Sequence, residues 1–209
     1  MKIFSYAIYY ILGFVIGMFL YTFIHKIPRE EKIFSKPLII YNKYNYIFSV
    51  IVGFLFLGVF LKYNTFSAIK YATLISSLIV IGIIDYKTTD VYFKTTFLSI
   101  VLGLFFIAIG IYFKIAPGEY IISGVIGGGL IAIIHILTKG GIGGGDAEVF
   151  LICGLFLGFK LTILVTIIAF ILAATSGLFL ILIRKRSFKD SMPFIPFITA
   201  ASIFIIMLI

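Results

Sequence analysis

The chain is poor in nucleophilic thiols and in imidazoles. Its 209 residues contain one cysteine, Cys153, and two histidines, His25 and His135. A lone cysteine forms no internal disulfide and no cysteine-rich metal site, and in its apolar stretch it reads as a small buried residue. There is no H-E-x-x-H and no cluster with ligand spacing, so no metal is expected and a zinc protease is disfavoured. A serine or cysteine mechanism wants a base placed beside its nucleophile. His25 adjoins Lys26 at a helix end, where an interfacial role is the simpler reading. His135 lies within an apolar run and either faces a cavity or, more simply, makes a helix-to-helix hydrogen bond.

Charge is scarce as well, at 12% of residues, and only eight are acids. The net charge of +9 would raise nucleic-acid binding in a soluble protein. In a membrane protein, basic residues crowd the cytoplasmic loops and meet anionic headgroups. The expected partner is therefore the lipid bilayer and not nucleic acid.

Apolar residues make up the rest. They are 62% of the chain, against roughly 45–50% in soluble domains, and they recur in runs of about 20, the length that crosses a hydrocarbon core of roughly 30 Å. The expected fold is an all-α integral membrane protein, a polytopic bundle of about eight transmembrane helices. Crossings are predicted near 4–25, 44–61, 65–84, 95–113, 120–138, 147–159, 161–183 and 193–209, the sixth and eighth being short. The first run lacks an A-x-A-like site and reads as an uncleaved span. With no repeat or linker, residues 1–209 read as a single polytopic membrane domain. Its aspartate-bearing core would cover approximately 66–209, after N-terminal helices over approximately 1–65.

Loop charge sets the orientation. With the N-terminus outside, the cytoplasmic side receives Lys26, Arg29, Lys32, Lys36, Lys43, Lys87, Lys94, Lys139, Arg184, Lys185, Arg186 and Lys189, twelve of seventeen basic residues. That asymmetry satisfies the positive-inside rule and brings both Asp85 and Asp146 to the cytoplasmic face of a cell membrane. Gly13-x-x-x-Gly17, Gly124-x-x-x-Gly128 and Gly154-x-x-x-Gly158 put small residues one turn apart, which lets helices approach closely in lipid.

Most of the acids lie in polar loops. Asp85 instead ends the apolar run from Leu78 to Ile84, and Asp146 follows Gly140-Gly141-Ile142-Gly143-Gly144-Gly145 and opens the sixth apolar segment. Non-helical backbone at membrane depth survives only where it is buried in protein or lines a wet cavity. A glycine run ending in an ionisable residue points to such a cavity, though a flexible or anion-binding loop with Asp146 as N-cap explains that run equally well. Two carboxyls at one membrane edge suit aspartic-protease chemistry. One proton is held between them, the ionised member takes a proton from the attacking water, and the protonated member donates to the developing oxyanion or leaving group. No cofactor is required for that reaction.

At these residues the chain resembles the type IV prepilin peptidases, a branch of the GxGD membrane aspartic proteases. Gly143-Gly144-Gly145-Asp146 has the G-x-G-D form and Leu155-Phe156-Leu157-Gly158-Phe159 continues it. Ile84-Asp85 with Thr95-Thr96 matches the segment of the first aspartate. Leu12 to Leu20 through Ile27-Pro28 is similar to the first helix, and Pro193-Phe194-Ile195-Pro196-Phe197 to the last. The resemblance implies Asp85 and Asp146 as catalytic residues and a prepilin or pseudopilin as substrate, cut beside the glycine that ends a short basic leader. Gly143, Gly144 and Gly145 would let the loop approach the substrate backbone, while Asp90 and Glu148 would attract the leader or form a solvated face.

Departures from the pattern bear on a second activity. Many bacterial members carry two C-x-x-C pairs that bind zinc in a long first loop, and N-methylate the new terminus with S-adenosylmethionine. Here the loop from Arg29 to Lys43 is short and lacks cysteine, Tyr21 stands where the family often has Asn, and Val91-Tyr92-Phe93 replaces a more usual Ile/Leu-Pro-Asp/Asn. No zinc is expected, and the balance is against S-adenosylmethionine as a cofactor, although missing cysteines alone do not exclude it. Two other readings stay open on the sequence: an ion-coupled transporter or channel using the two acids, and a non-catalytic pilus or secretion assembly protein.

Overall fold

A computed structural model describes residues 2–31, 37–139, 143–183 and 192–209. Gly140, Gly141 and Ile142 of the glycine run, Lys32 and Lys36 of the first loop, and the loop acid and bases Arg184, Lys185, Arg186, Lys189 and Asp190 lie outside the described residues. Within them are eight α-helices: α1 Lys2–Lys26, α2 Lys43–Lys62, α3 Thr65–Thr88, α4 Phe93–Tyr112, α5 Pro117–Leu137, α6 Gly144–Leu157, α7 Phe159–Leu182 and α8 Ile195–Leu208. A 3-10 turn, Ile27–Arg29, follows α1. Each helix falls on a predicted apolar run, and the protein is a polytopic helical membrane protein. Six helices are long and apolar enough to cross a bilayer. The other two, α6 and α8, have 14 residues each, roughly 21 Å at about 1.5 Å per residue. The chain divides within α3 into two compact units, 1–76 and 77–209.

In the first unit α1 packs along α2 through small residues. A Cβ on Gly17 would lie 2.8 Å from the Ser49 backbone, and one on Gly13 would lie 2.8 Å from Cγ of Phe56, so the predicted G-x-x-x-G contact is present here. Tyr9 stacks on Phe60 at 4.6 Å between centroids. Toward the start of α2 the buried groups are polar. Asn42 caps the helix by accepting the Asn45 N–H at 2.7 Å, and Asn45 Nδ2 donates to the Ile40 carbonyl at 2.6 Å. The Ile40 N–H donates to Thr22 Oγ1 at 3.1 Å and Asn42 Nδ2 to the Tyr21 hydroxyl at 3.3 Å. These bonds tie the segment before α2 to α1. His25 is similarly occupied, its Nδ1 lying 2.9 Å from the Tyr21 carbonyl. Lys26 and Lys70 are buried, unlike the headgroup-facing bases that composition suggests.

The second unit is organised around α6. Val149, Phe150, Ile152, Cys153, Phe156 and Leu157 are all buried, as expected for a helix apolar on every side. Its neighbours are α4, α5, α7 and α8. Gly154 meets the backbone of Gly124 on α5, and a Cβ on Gly128 would lie 2.9 Å from the Ala147 carbonyl. Phe156 packs on Phe106 of α4 at 5.8 Å, Phe150 on Phe194 beside α8 at 6.1 Å, and Cys153 Sγ lies 3.9 Å from Ser202 Oγ. Ser123 of α5 donates to Thr162 of α7 at 3.2 Å. Gly158, expected to serve as a packing glycine, instead joins α6 to α7 with φ +76°, a conformation that favours glycine.

Candidate active site

Asp85 lies in the last turn of α3, which runs on to Thr88 instead of ending at the acid; the Thr89 N–H still donates to the Asp85 carbonyl at 2.8 Å. Its side chain is 5% exposed. Oδ2 accepts the backbone N–H of Ile195 at 3.2 Å. Ile195 opens α8 with Pro196 after it, so its N–H is one of the first-turn donors that a helix leaves without an internal acceptor. An anion is favoured at such an end. The approach of α3 to α8 is fixed nearby, where Thr199 Oγ1 donates to the Leu78 carbonyl at 3.0 Å and sits 2.6 Å from where a Gly82 Cβ would be.

Asp146 comes from the opposite direction in sequence and meets the same requirement. It is the third residue of α6, 7% exposed. Gly143, not Asp146, is the N-cap. Asp146 Oδ2 accepts the Gly143 N–H at 3.1 Å, and the Asp146 N–H donates to the Gly143 carbonyl at 3.1 Å. Each acid is thus held by one N–H at a helix start. Asp146 lies ahead of the apolar body of α6 and outside the six long helices. Burial, and after it the negative charge of Asp85, push its carboxyl up to about 7, while the Gly143 N–H and His135 pull the other way. The two acids therefore stand close enough for one charge to act on the other, although 60 residues of chain separate them in sequence.

The three glycines before Asp146 have different neighbours. Gly143 is exposed with φ −63° and ψ 139°, values open to any residue, but a Cβ there would lie 3.2 Å from Asp146 Oδ2. Gly144 is exposed and faces His135, whose Nε2 would be 3.8 Å from its Cβ. Gly145 abuts the side chain of Val91 in the segment between α3 and α4 so tightly that a Cβ would overlap it. Asp90 is exposed, and its charge acts on Asp85. Glu148 is half-buried.

Ile195 and Val91 carry no role in the sequence, whereas His135, open there to a cavity or to a helix-to-helix hydrogen bond, lies against Gly144 of α6. Proline at 196 marks a helix start, but nothing in the sequence says which side chain that start would meet. Among the described residues no group of three or more His, Cys, Asp or Glu is placed to hold a metal ion. Two carboxyls sharing a buried site, each oriented by a fixed donor, suit proton transfer to and from water.

Comparison with known proteins covers this part of the chain. Residues 72–178, which include both acids, match the model of the type IV leader peptidase family. A 73-residue stretch is 33% identical to a prepilin leader peptidase/N-methyltransferase of Bacillus subtilis (strain 168), covering 35% of this chain and 29% of that protein. No solved structure matches. With more than half of its length under the family model, the chain belongs to the type IV leader peptidase family.

Proposed function

We propose that this protein is a membrane aspartic endopeptidase that removes the basic leader from type IV prepilins or pseudopilins at the cytoplasmic face of the cell membrane. The observation that carries the reading is the pairing of Asp85 and Asp146: two buried acids, remote in sequence, close enough that one charge acts on the other. Water between them is the nucleophile. The ionised member removes its proton as the oxygen attacks the scissile carbonyl, and the protonated member donates to the oxyanion or the departing amine. Two like charges that act on one another resist double ionisation, so the pair would hold one proton and titrate as a unit. Bond cleavage by this route uses only water and the two carboxyls.

Loop charge supports the cytoplasmic orientation, where a basic leader would meet anionic headgroups. Gly143 and Gly144, both exposed, are the positions at which substrate backbone would approach, with Asp90 and Glu148 offering negative charge to the leader. Methyl transfer, named for the Bacillus relative, is not part of the proposal, because the likeness spans 29% of that protein and the first loop here has no cysteine. The test is cleavage of a prepilin in membranes containing the full chain. Asp85→Asn and Asp146→Asn are each expected to leave the leader attached at normal protein abundance. Cleavage at the parent rate by either variant, or substrate-free ion flux in liposomes without cleavage, overturns the reading.

A further inference from the structure

His135 occupies the last turn of α5, and its ring lies against the first turn of α6, where Cε1 and Nε2 would be 3.7 and 3.8 Å from a Gly144 Cβ. That contact is fixed from below. Gly154 touches the Gly124 backbone and Gly128 lies under the Ala147 carbonyl, so α5 and α6 are held at backbone contact along their length. The side chain is half-buried and stands at a helix C-terminus, where a cation is favoured. Histidine is also the side chain that ordinarily gains or loses its charge near neutral pH.

We infer that His135 is a positioning residue of the acid pair, its imidazole set against the first turn of α6, where its charge reaches Asp146. This rests on the dyad reading above and deepens it by naming a third group. A positive His135 opposes the effects of burial and Asp85 on the Asp146 carboxyl. Other charges around the ring are few. On α6 they are Asp146 and, two residues on, Glu148; Asp85 acts by way of Asp146; and Lys139 follows the exit of α5. Of the other helices packed on α5, α4 carries the exposed Lys94 in its first turn, while Lys160 of α7 and Glu119 stand at the opposite end of α5 from His135.

The experiment measures cleavage of a prepilin against pH, in membranes, for the parent, His135→Gln, His135→Lys and Asp146→Asn. Removing the cation should let Asp146 keep its proton longer, so His135→Gln moves the alkaline limb of the profile to higher pH, by roughly half a unit or more. A lysine keeps the charge at pH values where imidazole loses it, so His135→Lys moves the limb the opposite way. A packing role alone would lower the rate without opposed shifts. Inactive His135→Gln beside active His135→Lys also supports the role of charge. An unmoved limb, shifts of one sign, or loss of cleavage in both variants at normal abundance overturns the inference while the dyad stands, provided Asp146→Asn is inactive. Parent-like cleavage by Asp146→Asn overturns both.

Discussion

The backbone N–H of Ile195 and the carboxylate of Asp85 meet at 3.2 Å across 110 positions of sequence. The bond occupies one carboxylate oxygen and leaves the other for chemistry. Asp85→Asn keeps an oxygen that can accept this N–H, so the protein should accumulate normally while cleavage falls by about 100-fold or more, the scale of a lost acid–base group. Asp85→Leu removes the acceptor and strands a buried donor, at a cost of about 1–3 kcal/mol. Prepilin processing and membrane abundance, measured together, separate the two effects. Poor accumulation of the Asn variant, equal to that of Leu, would count against this assignment of the bond.

The reaction should lose rate as pH rises through about 7. Burial and the Asp85 charge raise the Asp146 carboxyl to about that value. An acid whose ionisation is raised keeps its proton up to that pH and releases it above. Once both carboxyls are ionised, no member can donate to the leaving group. Initial cleavage rates from pH 5 to 9 test this, with a decline on the alkaline side expected; a rate constant to pH 9 argues against a shared proton.

Helix positions and the glycines at which helices approach closely were legible in the sequence, as were the unusual places of Asp85 and Asp146 beside apolar runs; which helices those glycines join was not. Apolar runs bounded by charge are local signals, and G-x-x-x-G is a periodicity on one helix. What was not legible depends on tertiary approach. Asp85 reads as the end of a helix because Ile84 is the last apolar residue, yet α3 carries one more polar turn, Tyr86 to Thr88. Asp146 reads equally as a cap, and only the Gly143 bonds assign the cap to its neighbour. Nothing along the chain signals that the N–H of Ile195 or the methyl groups of Val91 reach residues far from them in sequence.

Val91 yields a sharp test. A Cβ at Gly145 would overlap both its Cβ and its methyl groups, so Gly145→Ala must displace the segment between α3 and α4 or the first turn of α6. Either movement shifts one acid relative to the other, and misplacement of reacting groups by about 1 Å costs on the order of 100-fold in rate. Because the overlap includes Val91 Cβ, trimming to alanine should not help. Combining Gly145→Ala with Val91→Gly should recover part of the cleavage that Gly145→Ala loses, and combining it with Val91→Ala should not. Equal recovery by both would show that the methyl groups alone cause the conflict.

Glycines of the helical frame should divide by what surrounds them. Gly154 faces backbone: its Cβ would run into N and Cα of Gly124, and backbone in two packed helices has no rotamer to change. Gly154→Ala therefore forces α5 away from α6 along the contact that seats both Asp146 and His135. Gly177 in α7 has nothing within 4 Å of its Cβ position, so Gly177→Ala brings only the helix-propensity gain of about 1 kcal/mol. Membrane abundance and thermal aggregation in detergent are the measurements. Gly154→Ala should accumulate poorly or aggregate at lower temperature, and Gly177→Ala should match or exceed the parent. Similar behaviour of the two would mean that the α5–α6 contact yields without consequence. The support it gives the acid pair would then have to come from α8, through Ile195.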